Sequence, residues 1–285
     1  MNHFGRLVIA MGYLLVSRGL AQVNLGRPFT PPPASGAEWH GYSEKIVSVY
    51  GFEGYVVIPP KPLPGGLWVW RASFPEYHPE AALSLLKNGF HLAYLDLPDM
   101  YGSPTAVAAW DKFYDRLTGD LGLSRRVALE AVSRGGLIAY NWAVQHPERV
   151  ICVYAESPVC DIKSWPGSRG RNAGSPKDWQ QALHAYGFTE EQMLAFRGNP
   201  IDHAAKLARY KIPILHVVCS EDQILPPAEN TEIFAKRYRE GGGPIEVYYN
   251  KSRPTTDRGH HFKLDDQLKE LQFVMEASAL EGPVR

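Results

Sequence analysis

The chain has 285 residues, with 30 basic and 30 acidic side chains and no formal net charge. That balance removes the electrostatic attraction that draws a protein to nucleic acid or to an anionic membrane surface. With 45% hydrophobic and 12% aromatic residues and no internal repeat, it holds enough apolar side chain for one large core or two smaller ones.

The first segment reads as a targeting signal. Arg6 precedes an apolar run over residues 7–16, and Gly19 and Ala21, either side of Leu20, supply the small residues that a signal peptidase reads. The run is too short for a stable membrane anchor. The expectation is a signal peptide over 1–21 and a mature domain over 22–285, secreted or periplasmic, without stable membrane association. Arg18 leaves an uncleaved anchor as the alternative, and an ordinary buried helix as the blander one.

Residues 22–40 are rich in Pro and Gly, an extended lead-in. Strands are predicted over 45–50, 55–58 and 67–70, then a helix over 79–87 stopped by Asn88-Gly89. A strand over 92–95 leads to Ser103-Pro104, a cap and first-turn proline that open a helix with Val107, Trp110, Phe113, Tyr114 and Leu117 at helical spacing. An apolar strand over 127–132 runs straight into Ser133, with a helix over 137–144 behind it. Strands follow over 150–154, 214–219 and 245–249. A helix is expected from Pro226-Pro227 to the glycines at 241–243, and a last one over 264–275. Strands that are apolar throughout, alternating with helices, predict a mostly parallel sheet covered on both faces. The segment 161–211 has no strand and two helical stretches (177–186 and 190–196), and reads as an insertion over the C-terminal edge of the sheet. Cys152 and Cys219 fall in buried strands as small hydrophobes, and a disulfide through Cys160 stays open.

Ser133 carries the chemical signal. A serine on a sharp strand-to-helix turn needs small neighbours, here Ala131, Gly135 and Gly136, and the amide of Arg134 then lies at a helix N-terminus, favourable to developing negative charge. A hydroxyl is a poor nucleophile until a base takes its proton and a carboxylate orients that base. Candidates stand in loops after two later strands: Glu221 and Asp222 after the strand ending at Cys219, His260 and His261 after the strand ending at Tyr249. Adjacent histidines on a loop point apart, and no third ligand stands at metal-binding spacing.

In this order the motifs resemble those of the α/β-hydrolases. Asp96-Leu-Pro-Asp-Met-Tyr-Gly-Ser103 is similar to the family's D-x-P-G-x-G-x-S loop, Glu221-Asp-Gln-Ile-Leu-Pro226 to its D-x-x-V-P segment, and Gly259-His260 to its terminal G-H. The resemblance spans nearly the whole mature chain. It implies an α/β-hydrolase fold with a helical lid over 161–211, and a triad of Ser133, Asp222 and His260 that works without cofactor or metal. It also implies an oxyanion site of two backbone amides, Arg134 and one from the loop after the third strand. That loop departs from the family: Trp70-Arg-Ala-Ser73 stands where H-G is expected, so Ala72 is taken as the second donor with Ser73 behind it. Ala131 in place of the elbow's first glycine is the other departure.

Arg71 and Arg134 read either as partners of nearby carboxylates such as Glu156 or Asp99, or as a grip for an anionic substrate group. Trp165 and Trp179 read either as lid core or as a stacking wall for a sugar. Together these readings predict a secreted serine esterase acting on a small-molecule or carbohydrate-linked ester. The alternatives are a prolyl-oligopeptidase-like peptidase, whose usual large additional domain does not fit within this length, and a non-catalytic binding protein on a hydrolase scaffold.

Overall fold

In the computed structural model, residues 37–252 and 254–280 are described. The signal-peptide reading over 1–21 lies outside them. Nine strands form one sheet in the order β1-β2-β3-β5-β4-β6-β7-β8-β9. Strands β1 (Glu38–Trp39), β2 (Tyr42–Val49) and β3 (Phe52–Val57) make an antiparallel edge, and β3 pairs antiparallel with β5 (His91–Leu95). From β5 onward the sheet is parallel through β4 (Trp68–Arg71), β6 (Val127–Val132), β7 (Val150–Glu156), β8 (Ile214–Val218) and β9 (Ile245–Tyr249).

Every residue of β4, β6, β7 and β8 is buried, which is why their sequences lack the polar alternation of a one-sided sheet. Alternate side chains feed two cores. Trp68, Trp70 and Leu129 pack with α2 (Pro104–Asp115), α3 (Gly135–Ala143), α6 (Pro200–Ala208) and α7 (Thr231–Glu240). Val69, Ala128 and Cys152 pack on the other face with α1 (Pro79–Lys87) and α8 (Lys269–Ala279). The first core is built on tryptophan: the Trp70 and Trp110 rings stack 3.9 Å apart at 16°, and Trp142 meets Trp70 edge-on at 5.3 Å.

Strand β4 lies between β5 and β6, so the chain reverses its direction of travel across the sheet there. The loops after β4 and β6 therefore diverge and leave a crevice at the strands' C-terminal ends. Over that edge lie α4 (Pro176–Tyr186) and α5 (Glu190–Ala195), packed through Trp179, Ala182 and Met193 against Tyr101 and Leu137.

Several expectations need correction. The segment 161–211 contains three helices, and the third, α6, belongs to the main core through Ile201, Ala204 and Leu207 rather than to the lid. The helix expected from Pro226 begins at Thr231, after a 3-10 turn over Pro227–Glu229, because Asn230 at φ −123° and ψ −86° breaks it. The last helix starts at Lys269, and a small hairpin, β10 (Pro254–Thr256) with β11 (His261–Phe262), stands where none was expected. Cys152, Cys160 and Cys219 are all buried and none is in a disulfide. Among the described residues no helix is long and apolar enough to cross a membrane.

Trp110 is fully buried in the aromatic stack. Replacing it with alanine is expected to cost about 3–5 kcal/mol of stability, read as a lowered urea midpoint at unchanged slope; a loss below about 1 kcal/mol would remove the stack from the centre of the core.

Candidate active site

Ser133 stands between β6 and α3 with φ at +51°, a left-handed conformation that costs a non-glycine residue about 1–2 kcal/mol. Three backbone bonds hold it there. Its N–H donates to the carbonyl of Glu156 at 2.9 Å, and its carbonyl accepts from Gly136 at 3.0 Å and Val159 at 2.8 Å. The glycines beyond are demanded by contact: a Cβ on Gly135 would lie 2.3 Å from Ser73 Oγ, and one on Gly136 2.8 Å from the Val159 carbonyl. Ala131 is a buried strand residue paired with Ala155, so a methyl group fits where the family has glycine.

The three residues read as nucleophile, base and acid meet. His260 Nε2 is 3.0 Å from Ser133 Oγ, and His260 Nδ1 is 2.8 Å from Asp222 Oδ2. Both side chains are nearly withdrawn from solvent, 8% exposed for His260 and 0% for Asp222. The other oxygen of Asp222 accepts the amides of Ile224 at 2.9 Å and Leu225 at 2.8 Å, so the carboxylate cannot rotate away. Glu221, its neighbour, is exposed. His261 lies beside Tyr77, the rings tilted and 5.4 Å apart between centroids, and it is His260 that contacts Ser133. Gly259, at φ +88°, lets the base loop close on the acid loop, since a Cβ there would lie 2.2 Å from the Glu221 carbonyl.

The loop after β4 departs from expectation. The Ala72 N–H donates to the Glu130 carbonyl at 2.8 Å as the last rung of the β4–β6 ladder. It is therefore spent, and Ala72 is not the second oxyanion donor. Ser73, next along and tied to β6 by its hydroxyl on the Val132 carbonyl at 2.7 Å, is the residue that abuts Gly135. Arg134 is the N-cap residue of α3, where a backbone N–H has no intrahelical acceptor.

Arg71 is corrected as a substrate grip. It is 1% exposed and bonded through Nη2 to Glu130 at 2.8 Å and to the Tyr77 carbonyl at 2.7 Å. Its work is internal: it ties the far end of the Ala72–His78 loop to β6. Arg134 does reach the rim. Its guanidinium lies over the rings of Phe74 (5.2 Å) and Tyr101 (5.9 Å), and 3.7–3.9 Å from Asp178 and Asp99. Those two carboxylates already balance its charge. The Tyr101 hydroxyl also donates to Asp178 at 2.6 Å, joining the loop after β5 to α4. Trp165 is half-buried beside Tyr101, whereas Trp179 is lid core at 7% exposure. A cavity of about 40 Å³ opens beside the elbow between Ala72, Ser73, Met100, Tyr101, Arg134 and Ile138.

Sequence reasoning missed what lies beneath. Glu130 and Glu270 are both buried beside Arg71, and burial raises both carboxyls. One arginine balances one carboxylate; Glu130 takes that place at 2.8 Å, and Glu270, pushed up well beyond the usual carboxylate range, keeps the proton. His78 forms a second pair, Nδ1 to Glu156 Oε2 at 2.8 Å; burial opposes its charge, but the bond to Glu156 outweighs that and raises it. The visible signal was a charged residue inside each of two otherwise apolar strands, Arg71 in Trp-Val-Trp-Arg and Glu130 in Val-Ala-Leu-Glu-Ala-Val, since a buried charge requires a partner.

No family model matches the chain. Over 145 residues, 46% of its length, it is 26% identical to acylamino-acid-releasing enzyme 2 of Oryza sativa subsp. japonica, of which it covers 17%. It superposes on a puromycin-hydrolyzing peptidase of Mycobacterium tuberculosis with a TM-score of 0.59 and 15% identity, over 87% of this chain and 39% of that one. A thermostable esterase from Pseudomonas putida gives 0.56 and 16%, over 85% of this chain and 81% of that one. The chain thus spans less than half of these peptidase relatives and most of the esterase.

The charge pairing has a direction with pH. Glu270 is raised on folding, so its stabilisation is complete below the unfolded carboxyl value (about 4.3) and is lost as pH rises through the higher folded value. Stability against urea is therefore expected to fall from pH 5 to pH 8, and Glu270→Gln to flatten that slope, leaving the part due to His78. Adding Glu130→Gln to Glu270→Gln strands Arg71 and is expected to cost about 3–5 kcal/mol; a double variant as stable as either single one contradicts the shared-charge arrangement.

Proposed function

The chain has the α/β-hydrolase fold, and on that frame we propose that it is a serine hydrolase that cleaves short-chain carboxylic esters by acyl transfer. The observation that carries this reading is the unbroken contact from Ser133 Oγ through His260 to Asp222. His260 Nε2 takes the hydroxyl proton as Ser133 Oγ attacks the ester carbonyl. Asp222, fixed by two backbone amides, holds Nδ1–H and stabilises the imidazolium. The oxyanion receives the amide of Arg134 and that of Ser73, each such donor lowering the barrier by about 3 kcal/mol. As the tetrahedral intermediate collapses, the imidazolium returns its proton to the leaving alcohol. Water, deprotonated by the same His260, then releases the acid and restores Ser133.

The 40 Å³ cavity beside the elbow supports a small acyl group, since a water-sized group needs roughly 10–15 Å³. Arg134 is neutralised by Asp99 and Asp178, which argues against a dedicated anionic subsite. Trp165, half-buried beside Tyr101, is the candidate wall for the alcohol, a role that suits a sugar. Secretion belongs to the same proposal and rests on the apolar run and small residues before Gln22; it is tested by finding Gln22 as the N-terminus of the exported protein. A peptidase reading is favoured by one observation, the similarity to acylamino-acid-releasing enzyme 2.

The decisive comparison sets p-nitrophenyl acetate, propionate and octanoate against an acyl-aminoacyl p-nitroanilide. The expected order is acetate and propionate first and octanoate last, with Asp222→Asn lowering kcat by roughly 10³–10⁴-fold and Ser133→Ala leaving no turnover above background. Preference for the anilide would move the assignment to peptidase, and ester hydrolysis surviving in Ser133→Ala would end it.

A further inference from the structure

A second, larger cavity of about 340 Å³ lies among α2, α3, α6 and the lid, within the size range of small-molecule sites. It shares Gly102 with the small cavity, but its most buried polar side chain is Asn141, toward the end of α3 away from Ser133.

Asn141 is 8% exposed. Its Nδ2 donates to the Gly102 carbonyl at 2.8 Å and to the Tyr186 hydroxyl at 3.4 Å, which fixes which way the amide faces. Oδ1 is left as a buried acceptor that receives no hydrogen bond. Such a group has given up its hydrogen bond to water without replacement, a cost that a donor-bearing ligand removes. Asp111 from α2 lines the same space, its carboxylate steadied by Trp142 Nε1 at 2.9 Å and by His146 Nε2 at 2.7 Å. No lysine or arginine is among the lining residues, and burial together with nearby Lys206 lowers His203, the imidazole there, so that it stays neutral. Tyr186 and Phe196 supply aromatic wall.

This is an acceptor-rich cavity with apolar sides and no lysine or arginine in its lining. An anion would meet the carboxylate of Asp111, and a neutral alcohol would answer one acceptor only. A protonated amine brings three N–H donors and a charge that both Asp111 and the aromatic faces attract. We propose that this cavity binds a small organic amine, its ammonium donating to Asn141 Oδ1 beside Asp111 and its apolar, ring-sized body lying against Tyr186 and Phe196. The site is separate from the triad and does not depend on the hydrolase reading.

The test is calorimetric titration of benzylamine, benzyl alcohol and benzoate into the full chain, with and without prior fluorophosphonate treatment. Benzylamine is expected to bind saturably and at least about tenfold more tightly than benzoate, equally well in treated and untreated protein. Ala108→Trp, placed at an exposed lining position of α2, is expected to abolish binding without altering ester hydrolysis. Asp111→Asn, which keeps an acceptor for Trp142, is expected to weaken benzylamine about tenfold and leave benzyl alcohol unchanged. Benzoate binding as well as benzylamine, benzylamine binding untouched by Ala108→Trp, or no saturable binding would each overturn the site.

Discussion

The left-handed turn at Ser133 is the constraint on which the rest depends. A serine at φ +51° is held against its own preference, and it persists because the Glu156 carbonyl and the amides of Gly136 and Val159 over-determine it. Two of those partners belong to β7 and the chain just beyond it, so the strain is carried by the neighbouring strand rather than by the elbow alone. From that fixed point the hydroxyl faces the loops after β8 and β9. Gly259 allows those loops to touch, and the result is that His260 and Asp222 stand in line with the Ser133 hydroxyl.

The opposite wall of the crevice is secured from inside. Ala72 continues the β4–β6 ladder and Ser73 is tied to Val132, while Arg71 reaches back to Tyr77 and His78 clasps Glu156. The loop is thus held at one end by hydrogen bonds to the β6 backbone and at the other by buried charged groups. A buried arginine with two carboxyls, of which Glu270 keeps its proton, is neutral as a unit, which is what allows it to sit near Glu270 at almost no solvent exposure. The same arrangement explains why Arg71 does not serve the substrate.

Much of this was legible in the sequence. The buried strands, Ser133 with its glycines, and the later loops bearing Asp222 and His260 all announce themselves through local chemistry: apolar runs, turn residues and chain order. What was not legible depends on contacts distant in sequence. Choosing Ala72 over Ser73 required knowing that β4 extends one rung further against Glu130, a matter of register between strands some sixty positions apart. Assigning α6 to the lid followed from its place in the chain, whereas Ile201, Ala204 and Leu207 show its apolar face turned to the main core. The Glu130–Glu270 pairing is similarly non-local, although a glutamate inside a wholly apolar strand was the hint that a partner existed.

Ser133, activated by His260 and Asp222, is the proposed nucleophile. Intact-mass and peptide analysis after treatment with a fluorophosphonate tests it most directly. One adduct is expected, located on Ser133, formed slowly in Asp222→Asn and not at all in His260→Ala or in the unfolded chain. An adduct on another residue, or none on a folded protein, would contradict it.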